Sequence, residues 1–496
     1  MEEQDMPKKS RLTEEQRNFF SLVSEAIYIN PFSDKRQEID LRIAGFFPEV
    51  PGPGLIEKTL EEVKARINDL EKNNGGISSY QGKDRTLVEN AYLFDFFYRF
   101  RDRFDRLIKD QMATEETSIK VGFARQAIAL LQSRGFDFEQ IYHSIALCYQ
   151  IRRAFFFIRD SLIGQSPAMK EFRRKLWNNV FTHDMSLYTR YLWNRMEDFS
   201  TLLLGETGTG KGTAAMAIGR SGYIPFDEKT QTFKESFSRS FVSLNLSQFP
   251  ETLMESELFG HKKGSFTGAF EDYKGVFERC SPYGAIFLDE IGEISVPVQV
   301  KLLQVLQERV FTPVGSRMES RFQGRVIAAT NRSFDEVQNR KVFRDDFFYR
   351  LCSDIITVPT LRQRIQETPG ELDTLLAFSV KRMVGTESPE YTDMVREVVD
   401  RQLGPDYEWP GNVRELEQCV RRVLLNRTYT GDRKKDMGDL QAGLVSGIEE
   451  GSLDAQRLLS GYCRLLYERL KTYEEVAKRT CLDRRTVKKY ILEWDN

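Results

Sequence analysis

The chain has 496 residues, 40% of them hydrophobic and 29% charged, which is the balance of a globular protein with several cores and, as a soft prior, about three domains. Its net charge of -2 excludes a chain-wide attraction to nucleic acid, so any DNA binding must be local. No apolar run approaches the length that crosses a bilayer, and MEEQDMPKKSRLTEEQ at the start lacks the apolar stretch of a signal peptide.

The expectation is a cytoplasmic protein with no membrane partner. Its six cysteines are scattered without a CxxC pair, as for reduced thiols, and three histidines are too few for a metal cluster.

Residues 1–160 read as a helical regulatory domain of unknown type. Leu93, Phe96, Phe97, Phe100, Phe104 and Leu107 recur at three- and four-residue spacings, and FARQAIALLQSRGFDFEQIYHSIALCYQIRRAFFF continues the pattern. PEVPGPG (48–54) and NNGG (73–76) punctuate it. The aromatic stripe fits a helical core, with a ligand-lining wall as the alternative.

From Leu162 the pattern changes. FSTLLLGETGTGKG, RSFVSLNLS, GAIFLDEIGE and RVIAATN are short apolar runs ending in polar or glycine residues, the signature of a buried parallel sheet with functional loops at its strand ends. An α/β core is expected over 161–360 and a helical segment over 361–430.

Gly205-Glu206-Thr207-Gly208-Thr209-Gly210-Lys211 follows the strand TLLL and opens a helix, the context of a P-loop. Glycines let backbone N–H groups wrap phosphates, the helix N-terminus adds a favourable dipole, and Lys211 supplies a charge for the β- and γ-phosphates of ATP. Gly212 stands where a Ser/Thr usually holds Mg²⁺, and Thr213 comes one place late.

Next comes GHKKGSFTGA (260–269). Gly264 and Gly268 permit tight turns around Phe266 and Thr267, and an apolar Phe266 held in water calls for a partner. AIFLDE (285–290) is an apolar strand ending in two carboxylates: Asp289 can hold Mg²⁺ and Glu290 can polarise an attacking water.

GDRKKDMGDLQAGLVSGIEEGS begins a stretch expected to be a linker over 431–455. Residues 456–496 read as a helix-turn-helix DNA-binding domain. Between 464 and 489 there are nine Lys/Arg and four Asp/Glu. Thr472 with Glu475 makes a capping-box pattern for the first helix, Asp483 caps the second, and Arg484, Arg485, Lys488 and Lys489 are placed to meet phosphates or base edges. Cys481 occupies the turn position where glycine is common.

From Leu162 to about Val423 the chain resembles the AAA+ activators of sigma-54 RNA polymerase, the bacterial enhancer-binding proteins. LIGQSPAMKEF, GETGTGKG, ESELFGHKKGSFTGA, GAIFLDEIGEIS, VIAATN, FRDDFFYRL and WPGNVREL carry the resemblance in order. The resemblance implies a multidomain protein: a helical N-terminal domain, an AAA+ α/β domain with a helical lid, and a C-terminal helix-turn-helix. It implies an ATPase acting as a homo-oligomeric ring, a hexamer, on the sigma-54 RNA polymerase holoenzyme while bound to upstream DNA. The family's P-loop also lacks Ser/Thr after the lysine, which accounts for Gly212.

By the same resemblance, Ile163 lies near the adenine. Asn245 is a switch that contacts Glu290, while Thr330 and Asn331 form the sensor near the γ-phosphate. Arg344 and Arg350 are fingers reaching a neighbour's ATP, Arg414 is the lid arginine, and Phe266 and Thr267 touch the sigma factor. Ser265 departs from the family's alanine. Extra residues around NNVFTHDMSLYTRYLWNRMED and SGYIPFDEKTQTFKESF depart too, and are expected to adapt the surface to the N-terminal region. The alternatives are a DNA-binding regulator of this fold that does not activate sigma-54 polymerase, and a remodeller of another client.

Overall fold

The structure is a computed structural model describing residues 10–46, 54–74, 76–114, 117–338, 342–431 and 437–495. Most of the punctuation expected at 48–54 therefore lies outside the described residues.

The first 160 residues are helical. The main helices are α1 (Glu14–Tyr28), α2 (Asp34–Ala44), α3 (Leu55–Asn74), α4 (Gly82–Ala113), α5 (Ala124–Ser133) and α6 (Phe138–Asp160). Thr13 and Asp137 close capping boxes with Gln16 and Gln140 at the starts of α1 and α6. On α4 the aromatic stripe divides. Phe96, Phe100 and Phe104 are core residues, whereas Leu93 and Phe97 are only partly buried.

Next come α7 (Pro167–Phe181), the one-turn α8 (Met185–Leu187), β1 (Thr201–Leu204), α9 (Lys211–Gly219), the hairpin β2 (Phe226–Asp227) and β3 (Thr232–Phe233), β4 (Phe241–Asn245), α10 (Glu251–Phe259) and α11 (Val276–Arg279). They are followed by β5 (Ala285–Asp289), α12 (Val296–Glu308), the β6–β7 pair (Val310–Phe311, Ser320–Arg321), β8 (Arg325–Thr330), α13 (Phe334–Gln338), α14 (Asp345–Leu351) and β9 (Asp354–Thr357). Five strands make one parallel sheet in the order β4-β5-β8-β1-β9.

Both faces of this sheet are buried, which is why its strands read as unbroken apolar runs. Leu203, Phe287, Ile327 and Ala329 face one core, and Leu202, Leu204, Ile286, Leu288 and Ala328 face the other. Parallel order puts every strand's C-terminal end on one edge: Leu204 pairs with Thr330, and Asn245 with Asp289. Ligands of open α/β sheets bind at that edge.

The first core does not stop at the sheet. It runs from Leu12 through the N-terminal helices to Val358. The helical region therefore shares one apolar core with the α/β region rather than closing a core of its own at residue 160.

The two extra segments form the seam. Arg153 of α6 is fully buried and donates to the carbonyls of Arg220 (2.7 Å) and Gly222 (2.6 Å), just past α9. Gln150 donates to Tyr188 Oη (2.6 Å) and to the Ser221 carbonyl (2.9 Å). His143 Nδ1 meets Tyr223 Oη at 2.9 Å, and Val121 N–H donates to the Gln231 carbonyl at 2.8 Å. The inserted residues are the surface on which the N-terminal helices sit.

The helical segment after the sheet comprises α15 (Leu361–Glu367), α16 (Glu371–Val384), α17 (Pro389–Gln402) and α18 (Asn412–Asn426).

A second compact unit holds most of the C-terminal residues. Its helices are α19 (Met437–Glu449), α20 (Ala455–Leu470), α21 (Tyr473–Thr480) and α22 (Arg484–Asp495). The expected linker over 431–455 is thus largely helix. Leu444 of α19 is buried, and Gly461 of α20 comes so close to Leu444 and Trp494 that a Cβ there would lie 2.5 Å from the leucine. Leu444 and Gly447, one turn apart, are buried while Val445 and Ile448 are exposed, so the packing face is narrow where glycines and acids suggested a tether.

Candidate nucleotide site and loops

At the edge of the sheet, β1 runs into the loop Gly205–Gly210. Gly208 (φ 81°) and Gly210 (φ 105°) adopt left-handed conformations that glycine takes readily. Gly208 also has no room for a side chain: a Cβ would lie 2.2 Å from the Gly411 carbonyl oxygen. Gly210 is the N-cap of α9 and offers no side chain to its first N–H groups. A helix start without a side-chain cap, reached through left-handed glycines, fits a phosphate.

Lys211 is buried, and its Nζ donates to the loop carbonyls of Gly205 (2.7 Å) and Glu206 (3.1 Å). Burial lowers its pKa, opposed by the nearby charges of Glu290 and Asp289. Thr209 Oγ1 returns to the Glu206 carbonyl at 2.8 Å. Gly212 is exposed and Thr213 half-buried on α9. Position 212 therefore brings no hydroxyl, and Asp289, the carboxylate expected to hold Mg²⁺, ends β5. Among the described residues no cluster of three or more His, Cys, Asp or Glu side chains could hold a metal by itself, so the remaining ligands would be water and phosphate oxygens.

Glu290 has φ 55°, a left-handed backbone rare for a non-glycine residue and of the kind found at functional sites. Its Oε2 accepts from the Asn331 N–H at 3.4 Å. Thr330 is fully buried at the end of β8, and its Oγ1 accepts from the Arg332 N–H at 3.2 Å.

The expected Asn245–Glu290 contact is not made. Asn245 Oδ1 accepts from Ser247 N–H (3.0 Å) and Ser247 Oγ (2.7 Å), which holds it in a local turn. Each partner is thus occupied elsewhere.

The helical segment closes over the loop. Asn412, buried with φ 53°, donates to Glu206 Oε2 (3.1 Å) and the Thr207 carbonyl (3.2 Å), and accepts from the Leu361 N–H (2.8 Å). Arg362 clamps the Glu206 carboxylate from a second side (2.9 Å for Nη1), and its bond to Glu206 depresses that carboxyl's pKa. Arg414 is exposed, and its N–H donates to the Gly208 carbonyl at 3.3 Å. Sequence reasoning missed Arg362 and Asn412; the asparagine lies within WPGNVREL, where its left-handed backbone gives no composition signal.

Ile163 sits where its carbonyl accepts from Arg364 Nη2 at 2.6 Å, and Arg364 is paired with fully buried Glu371. Arg344 is the N-cap of α14 and pairs with Asp346 (2.9 Å) on the surface. Arg350 Nε donates to the Leu306 carbonyl at 2.8 Å. Neither finger candidate touches this chain's own P-loop.

The GSFTGA loop is a compact turn. Gly264 N–H donates to the Ala269 carbonyl (2.8 Å) and Ala269 N–H to that of Phe266 (3.0 Å). Phe266 is 36% exposed, its ring edge-on to His261 at 4.9 Å, and Thr267 is exposed. A second loop supports it, with Lys262 N–H donating to the Val314 carbonyl at 2.9 Å. Gly315 (φ 78°) lies so close that a Cβ there would be 2.5 Å from Ser265 Cβ. Ser265 Oγ is buried without a hydrogen-bond partner, so its alanine counterpart would lose nothing there.

In the second unit, α20, α21 and α22 share a core of Cys463, Leu466, Val476, Val487 and Ile491. Thr472 Oγ1 accepts from Glu475 N–H at the start of α21, and Asp483 accepts from the N–H groups of Arg485 (2.9 Å) and Thr486 (3.0 Å) at the start of α22. Cys481 takes the left-handed turn position (φ 56°) despite its side chain. Arg484 pairs with Glu474 (2.9 Å), while Arg485, Lys488 and Lys489 are exposed on the face of α22 opposite Val487 and Ile491.

Residues 181–357 match the family model of the sigma-54 interaction domain. The chain is 43% identical over 285 residues to the Nif-specific regulatory protein of Bradyrhizobium diazoefficiens, covering 58% of this chain and 43% of that one. It is 37% identical to the DNA-binding transcriptional regulator NtrC of Azospirillum brasilense, over 53% of this chain and 47% of that protein. An uncharacterized protein in the HyuA 5' region of Pseudomonas sp. is 37% identical over 49% of this chain and 76% of its own length. The chain thus spans about half or less of the named regulators it matches.

Proposed function

We infer that this chain, which belongs to the family of sigma-54-dependent transcriptional activators, hydrolyses ATP in a homo-oligomeric AAA+ ring, a hexamer, and uses the cycle to remodel closed sigma-54 RNA polymerase. The observation that carries this reading is the convergence of Lys211, Asp289, Glu290 and Thr330 at one sheet edge, with Asn245 at the same edge leading through α10 into the GSFTGA loop.

In this reading the N–H groups at the start of α9 and the charge of Lys211 hold the phosphates, while Ile163 borders the adenine and Arg414 meets the nucleotide from the lid. Bound Mg²⁺, held by Asp289, supplies charge neutralisation on the phosphates. Glu290 orients and polarises the attacking water, and Asn331 steadies its carboxylate. Arg344 and Arg350 belong to a neighbour's site, where a guanidinium stabilises charge on the transferring phosphoryl group and makes turnover depend on assembly.

Coupling follows from chain connectivity. When Glu290 swings to take Asn245 from Ser247, residues 246–249 must shift, and they lead directly into α10 and the loop it carries. Phe266 and Thr267 then change their presentation to the sigma factor. DNA upstream of the promoter is held by α22 through Arg484, Arg485, Lys488 and Lys489.

The test compares ATP binding and turnover in the wild type, Lys211→Ala and Glu290→Gln, with transcription from a sigma-54 promoter beside them. Lys211→Ala should lose nucleotide affinity, and Glu290→Gln should bind ATP without turning it over. An active ATPase that never yields open complexes would favour a regulator of the same fold that does not activate sigma-54 polymerase.

A further inference from the structure

The N-terminal helices line a half-open cavity of about 880 Å³ bounded by α1, α2, α3, α4, α6, α7, α8 and the segment around Thr189. Protein interiors hold few voids larger than a water molecule, whereas small-molecule sites occupy roughly 300–1,000 Å³. A half-open space of this size falls within the range of small-molecule sites. Leu93 and Phe97 of α4, Leu147 and Phe155 of α6, and Trp177 of α7 give it an apolar wall.

The charges on its lining do not cancel. Arg36 is paired with Asp40 (2.9 Å), Arg152 with Asp105 (2.7 Å), Arg101 with Asp102 (3.1 Å), and Glu89 with Arg85 outside the cavity (2.8 Å). Arg159 and Arg190 have no ion-pair partner among the described residues, and Arg159 lies over the Phe155 ring at 5.5 Å. Asp40 Oδ1 is buried without a hydrogen-bond partner although Asp40 lines the space. The lining is thus an aromatic and aliphatic wall with two unmatched cations and one unfilled acceptor.

We propose that this cavity binds an organic anion with an apolar body, a carboxylate or sulfonate on an aromatic or acyl frame, held by Arg159 and Arg190. The same walls touch the ATPase region. α6 presents Leu147, Ile151 and Phe155 to the cavity and Gln150 and Arg153 to the end of α9. Arg190 lies two residues from Tyr188, which is bonded to Gln150. Occupancy therefore biases α9, and with it ATP turnover; this relay, unlike the binding, rests on the ATPase reading above.

Anilinonaphthalenesulfonate and its uncharged relative phenylnaphthylamine are titrated against the full chain by fluorescence. The sulfonate is expected to fill a single saturable site. Arg159→Gln with Arg190→Gln should weaken it roughly tenfold, the sum expected of two solvent-exposed charge contacts, and leave the neutral amine unchanged. Leu93→Trp, which narrows the space at its apolar wall, should weaken binding of both.

Non-saturable binding, or a saturable site indifferent to the arginine pair, overturns the proposal. If Leu93→Trp does not fold, the two exposed arginines decide alone. Saturable, arginine-dependent binding that leaves ATPase activity unchanged keeps the site and overturns the relay.

Discussion

Replacing Arg153 with methionine keeps an apolar stem between the Tyr149 and Phe237 rings, 4.5 and 5.5 Å from the guanidinium carbon, and removes the group that holds α6 to the end of α9. Two charge-assisted bonds, to the Arg220 and Gly222 carbonyls, are lost, at about 1.5–3 kcal/mol each. Against this, burial pulls the Arg153 pKa down to about 10, a desolvation cost of about 3 kcal/mol that methionine does not carry. The two carbonyls left without donors add about 1 kcal/mol each. The balance is a net loss of about 2–5 kcal/mol. Urea unfolding followed by tryptophan fluorescence reads it, because Trp193 packs at this seam against His143 (4.9 Å) and Tyr223 (4.5 Å). Arg153→Lys, which can reach one carbonyl, should fall between the two. A methionine variant as stable as the wild type would refute the claim that this arginine joins the helical region to the P-loop helix.

Gly315→Ala should part the two exposed loops, since its φ is 78° and its Cβ would meet Ser265; ATPase activity should persist while transcription from a sigma-54 promoter falls. Ser265→Ala removes a buried hydroxyl with no partner and should raise stability by about 1 kcal/mol, measured as a higher melting temperature without loss of activity. Glu206 has its folded-state pKa lowered from 4.5, first by the hydrogen bond from Arg362. Its contribution is therefore complete above about pH 4.5 and is lost as pH falls through the depressed value; Arg362→Gln should remove that acid-side loss, read from melting temperatures between neutral and acid pH. Arg485→Ala with Lys488→Ala should weaken DNA binding and reduce the salt slope by about 1 for each phosphate contact removed, with unchanged slopes excluding α22 as the DNA-facing helix.

Much of the sheet and its edge was legible in the sequence because short apolar runs ending in Gly, Asp-Glu or Thr-Asn have one common physical explanation, a strand buried on both faces with a loop at its end. Lys211, Asp289, Glu290 and Thr330 lie at that edge for this reason. The seam was not legible. Arg153 sits in QIRRAFFFI, where an arginine reads as a solvated helix position, and only its burial against Tyr149 and Phe237 makes it structural. Nor could spacing reveal that Asn245 would be held by Ser247, two residues on, or that Asn412 would latch Glu206, 206 residues away, because side-chain hydrogen bonds leave no periodicity in the sequence. The helix Met437–Glu449 was hidden by its own glycines and acids, which resemble a linker until Leu444 is seen to be buried.

The central claim is that ATP hydrolysis acts through an exposed loop whose Thr267 meets the sigma factor. The most direct measurement is open-complex formation at a sigma-54 promoter by wild type and Thr267→Ala, with ATPase rates taken in the same samples. The account predicts normal hydrolysis and no open complexes for the variant. Equal loss of hydrolysis would make the loop a structural part of the ATPase, and undiminished open-complex formation would remove Thr267 from the coupling altogether.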